Sequence, residues 1–156
     1  MKLTLLMVGK TTDAHLDTLV GDYVKRLGHY LPFSLTVLPE LKQTKHLTTE
    51  QQKTLEGESI LKAVPASAEM VLLDERGKEF TSMEFASHIQ KRLSSGRDVV
   101  FVIGGPYGFS QAVYDKAVGM ISLSRMTFSH QMVRLFMVEQ LYRAMTILHN
   151  EPYHHE

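Results

Sequence analysis

The sequence predicts an α/β fold, a mostly parallel sheet with helices on both faces, and three observations carry that reading. Five apolar runs, at 3–8, 33–38, 70–73, 99–103 and 120–123, are short, partly β-branched and nearly continuous, the pattern of strands covered on both sides. Segments with helical start and stop residues lie between them. Strand and helix alternate at a spacing that suits right-handed crossovers. With 156 residues, the chain fits one domain over 1–156 and can bury a core without covalent or metal staples.

Each element has its own justification. LTLLMV at 3–8 follows one early lysine and reads as a strand: it is short for a signal, lacks a small-residue cleavage site and continues into charged, helix-like sequence. A helix runs from Asp13 to about Leu27 and stops at Gly28. After the strand at 33–38, the very polar stretch KQTKHLTTEQQK at 42–53 reads as a mobile loop entering a helix over 49–64 that ends before Pro65. Its lysines form a solvated face, unless they touch RNA. The strand at 70–73 is followed by TSME at 81–84, a capping box that opens a helix to about Leu93, halted by Gly96. The strand at 99–103 runs into the glycine cluster 104–108 and a helix-like stretch to Ala117. The strand at 120–123 precedes the last helix, 130–149, whose apolar residues, among them Phe136, Met137, Leu141 and Tyr142, point all round. One side covers the sheet and the other asks for a partner in a symmetric dimer, unless the helix is sandwiched between the sheet and the chain's own loops.

Composition narrows the function. Seventeen basic and seventeen acidic residues leave no basic excess, so any grip on RNA must be local. The chain has no cysteine, which excludes disulfides, thiolate metal sites and cysteine nucleophiles and suits a reducing, cytoplasmic setting. No stretch approaches the roughly 18–20 apolar residues of a membrane span, so a soluble protein without membrane attachment is expected.

The glycine cluster after VVFVI invites a phosphate-loop reading, which its residues do not support. No lysine lies between Arg97 and Lys116, so a Walker loop is out. The spacing is GGxxG in the fourth strand-helix unit, and Asp115 comes too soon for a dinucleotide fingerprint. What remains is bare backbone at the carboxyl end of a parallel strand, where open α/β sheets bind ligands. If the third, fourth and fifth strands are neighbours, Leu73, Gly104 and residues 123–128 line one pocket of apolar walls and backbone polar groups.

VGK near the start, RLGHY at 26–30, LDERGK at 73–78, VFVIGGPYG at 100–108, SLSRMTFSHQMVR at 122–134, EQLYRA at 139–144 and the terminal PYHHE together resemble the RlmH family. These are small SPOUT-class methyltransferases that act on a pseudouridine of 23S ribosomal RNA. The resemblance covers essentially the whole chain. It implies a SPOUT-like α/β knot with a C-terminal trefoil, an obligate homodimer, and S-adenosylmethionine as cofactor. It implies cofactor contacts at Leu73, Gly104, Leu123, Ser124, Arg125, Met126, Thr127 and Phe128, and places Arg143, Tyr153 and His154 near the target base, across the dimer interface. The chain departs from the family in having Ser129 where a proline often stands, which should loosen the turn before the last helix, and His155 where a basic residue is frequent.

For such a reaction His154 is the first candidate to take the proton of the imide nitrogen and His130 the second. Arg143 would stabilise the anion or pin a phosphate, unless it only pairs with Glu139, and Tyr153 would stack on the base. Arg125 and Arg134 could hold a carboxylate or an RNA phosphate. The histidines lack the partners of a metal site, so no metal is expected. The expected substrate is N3 of a pseudouridine in 23S rRNA, in the helix 69 region of the assembled ribosome. The alternatives are a SPOUT-class tRNA methyltransferase and a non-catalytic ribosome- or RNA-binding dimer.

Overall fold

The apolar runs pair into one five-stranded sheet in which every pairing is parallel. The computed structural model describes residues 1–155, so Glu156 of the PYHHE motif lies outside the described residues. In chain order the elements are β1 (Leu3–Val8), α1 (Ala14–Leu27), β2 (Phe33–Leu38), a 3-10 turn (Thr44–His46), α2 (Thr49–Ala63), β3 (Glu69–Glu79), α3 (Ser82–Ser94), β4 (Val99–Ile103), α4 (Gln111–Lys116), β5 (Gly119–Ser122) and α5 (Met132–Leu148). The strand order is β2-β1-β4-β3-β5. β4, β3 and β5 are therefore neighbours.

Alternation along each strand feeds two cores, as successive side chains point to opposite faces. Leu3, Leu5, Met7, Val71, Val99, Phe101 and Ile103 pack beneath α1, α3 and α5, against Val20, Phe85, Ile89, Met137 and Leu141. Leu6, Met70, Leu72, Val100 and Val102 face the other way, toward Ile60 of α2 and Val113 of α4. Local chemistry fixes the helix starts. Asp13 accepts from His15 N and Leu16 N ahead of α1, and Thr48–Gln51 and Thr81–Glu84 form capping boxes for α2 and α3.

The structure departs from the sequence reading in two places. β3 extends well past Leu73, because after a bulge Lys78 and Glu79 pair with Ile121 and Ser122 of β5. The added residues are polar and border only an edge strand, so no apolar run announces them. In turn, α5 is flanked by α1 and α3 and buries Met137, Val138, Leu141, Ala144 and Met145. Most of its all-round apolar surface is thus covered within the chain, leaving Met132 and Phe136 exposed.

The helix α3 carries one titration with a consequence for stability. His88 Nε2 accepts from Arg92 Nε at 2.9 Å, and Arg92 also pairs with Glu69 at 2.7 Å. Burial first, and then the charges of Arg92, Lys78 and Lys91, push the His88 imidazole down from 6.5 to about 4. The unfolded chain binds this proton more readily than the folded one, so stability rises with pH through that window and is lost as pH falls from about 6.5 to about 4. Urea midpoints at pH 5 and pH 7 should differ less in His88→Gln than in the parent; an unchanged difference would remove His88 as the cause.

Candidate functional site

A cleft of about 430 Å³ opens where β4 and β5 end and β3 bulges after Leu73. Leu73 and Asp74 form its floor on the β3 side, the loop 104–109 forms one wall, and Leu123, Ser124, Met126, Thr127 and Phe128 form the other, with His130 and Val133 at the start of α5. Seven of the eight residues expected to hold a cofactor thus meet in one cavity. Arg125 is the exception: its side chain is 88% exposed and lies 3.8 Å from Glu79, outside the lining.

Backbone geometry explains the glycines. A Cβ on Gly104 would lie 2.8 Å from the Phe109 ring, and one on Gly105 would lie 2.5 Å from a carboxylate oxygen of Glu56. A side chain at Gly104 would have to displace the Phe109 ring, and one at Gly105 the Glu56 carboxylate. Gly108, at φ +81°, closes the turn by donating its N–H to Gly105 O at 3.2 Å. The opposite wall is shaped by short polar contacts, Ser122 Oγ to Ser124 O at 2.9 Å and Met126 N to Ser124 Oγ at 2.9 Å.

A network not singled out from the sequence lies on the floor. Asp74 accepts from the Tyr114 hydroxyl and from Arg76 N at 2.9 Å, and the Arg76 guanidinium lies 4.8 Å from the centre of the Tyr114 ring. Burial alone would raise the Asp74 carboxyl, but the hydrogen bonds from Tyr114 and Arg76 outweigh it and hold it below the usual carboxylate range. The Asp74 carboxylate is therefore ionised at neutral pH, paired with the Arg76 guanidinium at 3.4 Å. Its sequence signal was position: Asp74 directly follows the apolar run 70–73 within β3.

The segment 123–131 leaves β5 and is tied at its far end to β1, so it crosses the ends of β3 and β4, about 14 Å at ordinary strand spacing. Arg134 makes that tie. It is buried, and donates to Val8 O at 2.8 Å, Thr11 Oγ1 at 3.1 Å and His130 O at 3.1 Å. Its guanidinium is thereby engaged by the protein itself instead of being offered to a ligand carboxylate or a phosphate. Gln131 adds bonds to Thr12 N at 2.9 Å and Lys10 O at 3.1 Å. Ser129 caps the turn before α5, accepting from Met132 N at 3.0 Å through a hydroxyl that proline lacks.

The remaining expected residues gather elsewhere. Arg143 donates to Glu139 at 2.6 Å and to His154 Nδ1 at 3.1 Å, and lies 4.7 Å from the centre of the Tyr153 ring. Because arginine only donates, Nδ1 of His154 is the acceptor. Tyr153 OH donates to Glu139 at 2.9 Å and meets Tyr23 OH at 3.1 Å; burial, then Tyr23 and Glu139, raise its phenol, which stays protonated. None of the three lines the cleft. Eleven helical steps lead from Met132 to Arg143, roughly 16 Å along the axis. His130 alone of the four expected catalytic residues is at the cleft.

A wholly parallel sheet with a backbone-walled cleft beside three adjacent strands, roofed by the segment before the last helix, defines a ligand-binding α/β protein. The family described as “Predicted SPOUT methyltransferase” matches residues 1–154, and the chain belongs to it, within the RlmH branch. Proteins named ribosomal RNA large subunit methyltransferase H from Phocaeicola vulgatus and Flavobacterium johnsoniae are 58% and 54% identical, each covering 100% of both chains. The solved SpoU methyltransferase AviRb from Streptomyces viridochromogenes, in complex with AdoMet, aligns at TM-score 0.45 and 10% identity over 96% of this chain and 61% of that one. Among the described residues no helix is long and apolar enough to cross a membrane, and no group of three histidines or carboxylates is placed to hold a metal.

Arg134→Ala should destabilise the protein by about 2–4 kcal/mol, since it opens a cavity and leaves buried acceptors without donors. Urea denaturation measures this, and a loss under about 0.5 kcal/mol, the range of ordinary surface changes, would contradict the tie described above.

Proposed function

We propose that the protein is a cytoplasmic S-adenosylmethionine-dependent methyltransferase that methylates N3 of a pseudouridine in 23S rRNA, in the helix 69 region of the assembled ribosome. It works as a homodimer of single SPOUT-like domains, residues 1–156, with a C-terminal trefoil knot. The full-length kinship with ribosomal RNA large subunit methyltransferase H proteins carries this reading.

The residues of the cleft fit the cofactor. Bare backbone at Gly104 and Gly105, apolar walls at Leu73, Leu123 and Phe128, and the ionised carboxylate of Asp74 suit a flat base, a thioether-like chain and a cationic donor. Ser124, Arg125, Met126 and Thr127 complete the binding loop. S-adenosylmethionine supplies an electrophilic methyl group; the protein's part is to hold the imide nitrogen in line with it, exclude water and manage one proton. Once Arg143 turns from His154 Nδ1 to the substrate anion, His154 is free to take that proton at Nδ1, with His130 as the second acceptor; Arg143 stabilises the anion and Tyr153 stacks on the base.

Within one chain the tail lies too far from the cleft for that chemistry. A second copy supplies it, and exposed Met132 and Phe136 on α5, beside Phe128 at a ring-centre distance of 5.0 Å, support an apolar contact between copies. With no net charge, the dimer recognises an assembled, shaped substrate more than naked RNA.

Assembled ribosomes, free 23S RNA and tRNA offered with labelled methyl donor test the reading. Ribosomes should be methylated best, and efficient methylation of tRNA alone would overturn it. Gly104→Val should abolish donor binding without dissociating the dimer, and deletion of residues 153–156 should stop turnover while sparing donor affinity. Mixed and re-equilibrated, these two inactive chains should recover about a quarter of parental activity, because half the dimers are mixed and each holds one complete site. No recovery would mean that each site is built from one chain.

A further inference from the structure

We propose that Glu56 is a positioning residue for the donor cleft, reaching from α2 to clamp Gly105 and fix the glycine loop in its receiving shape. This role rests on the proposed binding of S-adenosylmethionine. Glu56 Oε1 accepts from Gly105 N at 2.9 Å, across 49 residues of sequence. A Cβ on Gly105 would lie 2.5 Å from one carboxylate oxygen and 3.1 Å from Cδ, so the carboxylate lies against the bare α-carbon. The neighbouring residue does the same at the other end of the loop. Gly57 sits so near Ser110, the N-cap of α4, that a Cβ there would overlap the Ser110 hydroxyl. Two consecutive residues of one helix turn thus brace the loop at Gly105 and at Ser110.

The choice of residue points to position rather than general stability. Burial raises the Glu56 carboxyl, and the Gly105 N–H only partly offsets it; a half-buried carboxylate is a costly prop where an apolar side chain would pack. Of the α2 residues, only Gly57 and Ile60 are buried: Ile60 joins the core beneath the helix, while Gly57 lies against Ser110 at the end of this loop. Gly105 is itself part of the cleft lining, which makes the contact a direct route from the far face of the sheet to the ligand.

The test compares the parent protein with Glu56→Ala and Glu56→Gln by S-adenosylmethionine titration, methylation kinetics on ribosomes and hydrogen exchange at the Gly105 amide. Glu56→Ala should weaken donor affinity and raise the donor KM about tenfold, the scale of one hydrogen bond to a charged group. The kcat at saturating donor should hold within about twofold, and Gly105 exchange should accelerate, because the loop is restored once the donor is bound. Glu56→Gln keeps an acceptor for the same N–H and should stay within about threefold of the parent. Unchanged donor affinity in Glu56→Ala, or unchanged Gly105 exchange, overturns the proposal, as does a loss of kcat that Gln does not rescue. If the parent itself fails to bind S-adenosylmethionine, the proposed function falls and this role with it; the exchange measurement distinguishes that outcome from failure of the clamp.

Discussion

The functional edge of this protein hangs on one buried cation. Arg134 gives its donors to three neutral oxygens, on Val8, Thr11 and His130. Burial pulls its guanidinium downward while the charge of Glu40 supports it. A charge held this way is costly to bury and still costlier to leave without its acceptors. It joins the end of the first strand to the start of the last helix, and so determines where the segment before that helix must run. One wall of the cleft consists of that segment.

The other wall is set from the opposite side of the sheet. The helices α1, α3 and α5 share one core and α2 and α4 the other, and the cleft stands where both reach the same strand ends. Arg134 fixes the roof from the first layer, while Glu56 and Gly57 brace the glycine loop from the second. A site held from two layers has little freedom to relax when one contact is lost. That is the preorganisation a displacement reaction needs, since its rate depends on the angle and distance of approach more than on any single group.

The sequence carried the strands and helix starts because these are local: continuous apolar runs, Asp13 and Thr81 each announce themselves within a few residues. It also carried the convergence at Leu73, Gly104 and Leu123, once strand adjacency was granted. What it hid was long-range or polar. The extension of β3 is written in the charged residues after Leu73, Arg134 looks like a ligand-binding arginine until its three acceptors are seen, and nothing marks Glu56 among the polar residues of α2. The tail was half legible: Glu139 and Arg143 are one turn apart, but Tyr153 meets Tyr23 across 130 residues.

The placement of the tail also bears on why a small, neutral chain would work in pairs. α1 and α5 run side by side, so the aromatic cluster of Tyr23, Tyr30, Tyr142 and Tyr153 lies toward the pole of the domain opposite the cleft. Arg143 and His154 are held there by Glu139 and by each other. In-line transfer requires the acceptor nitrogen within about 3.5 Å of the methyl carbon, and a rigid helix cannot bend Arg143 to its own cleft. Under the proposed reading the two halves of the chemistry are displayed at separate places on one rigid body, and a twofold axis brings each half to its complement. Recognition then depends on the shape formed between two copies, which needs no excess of basic residues.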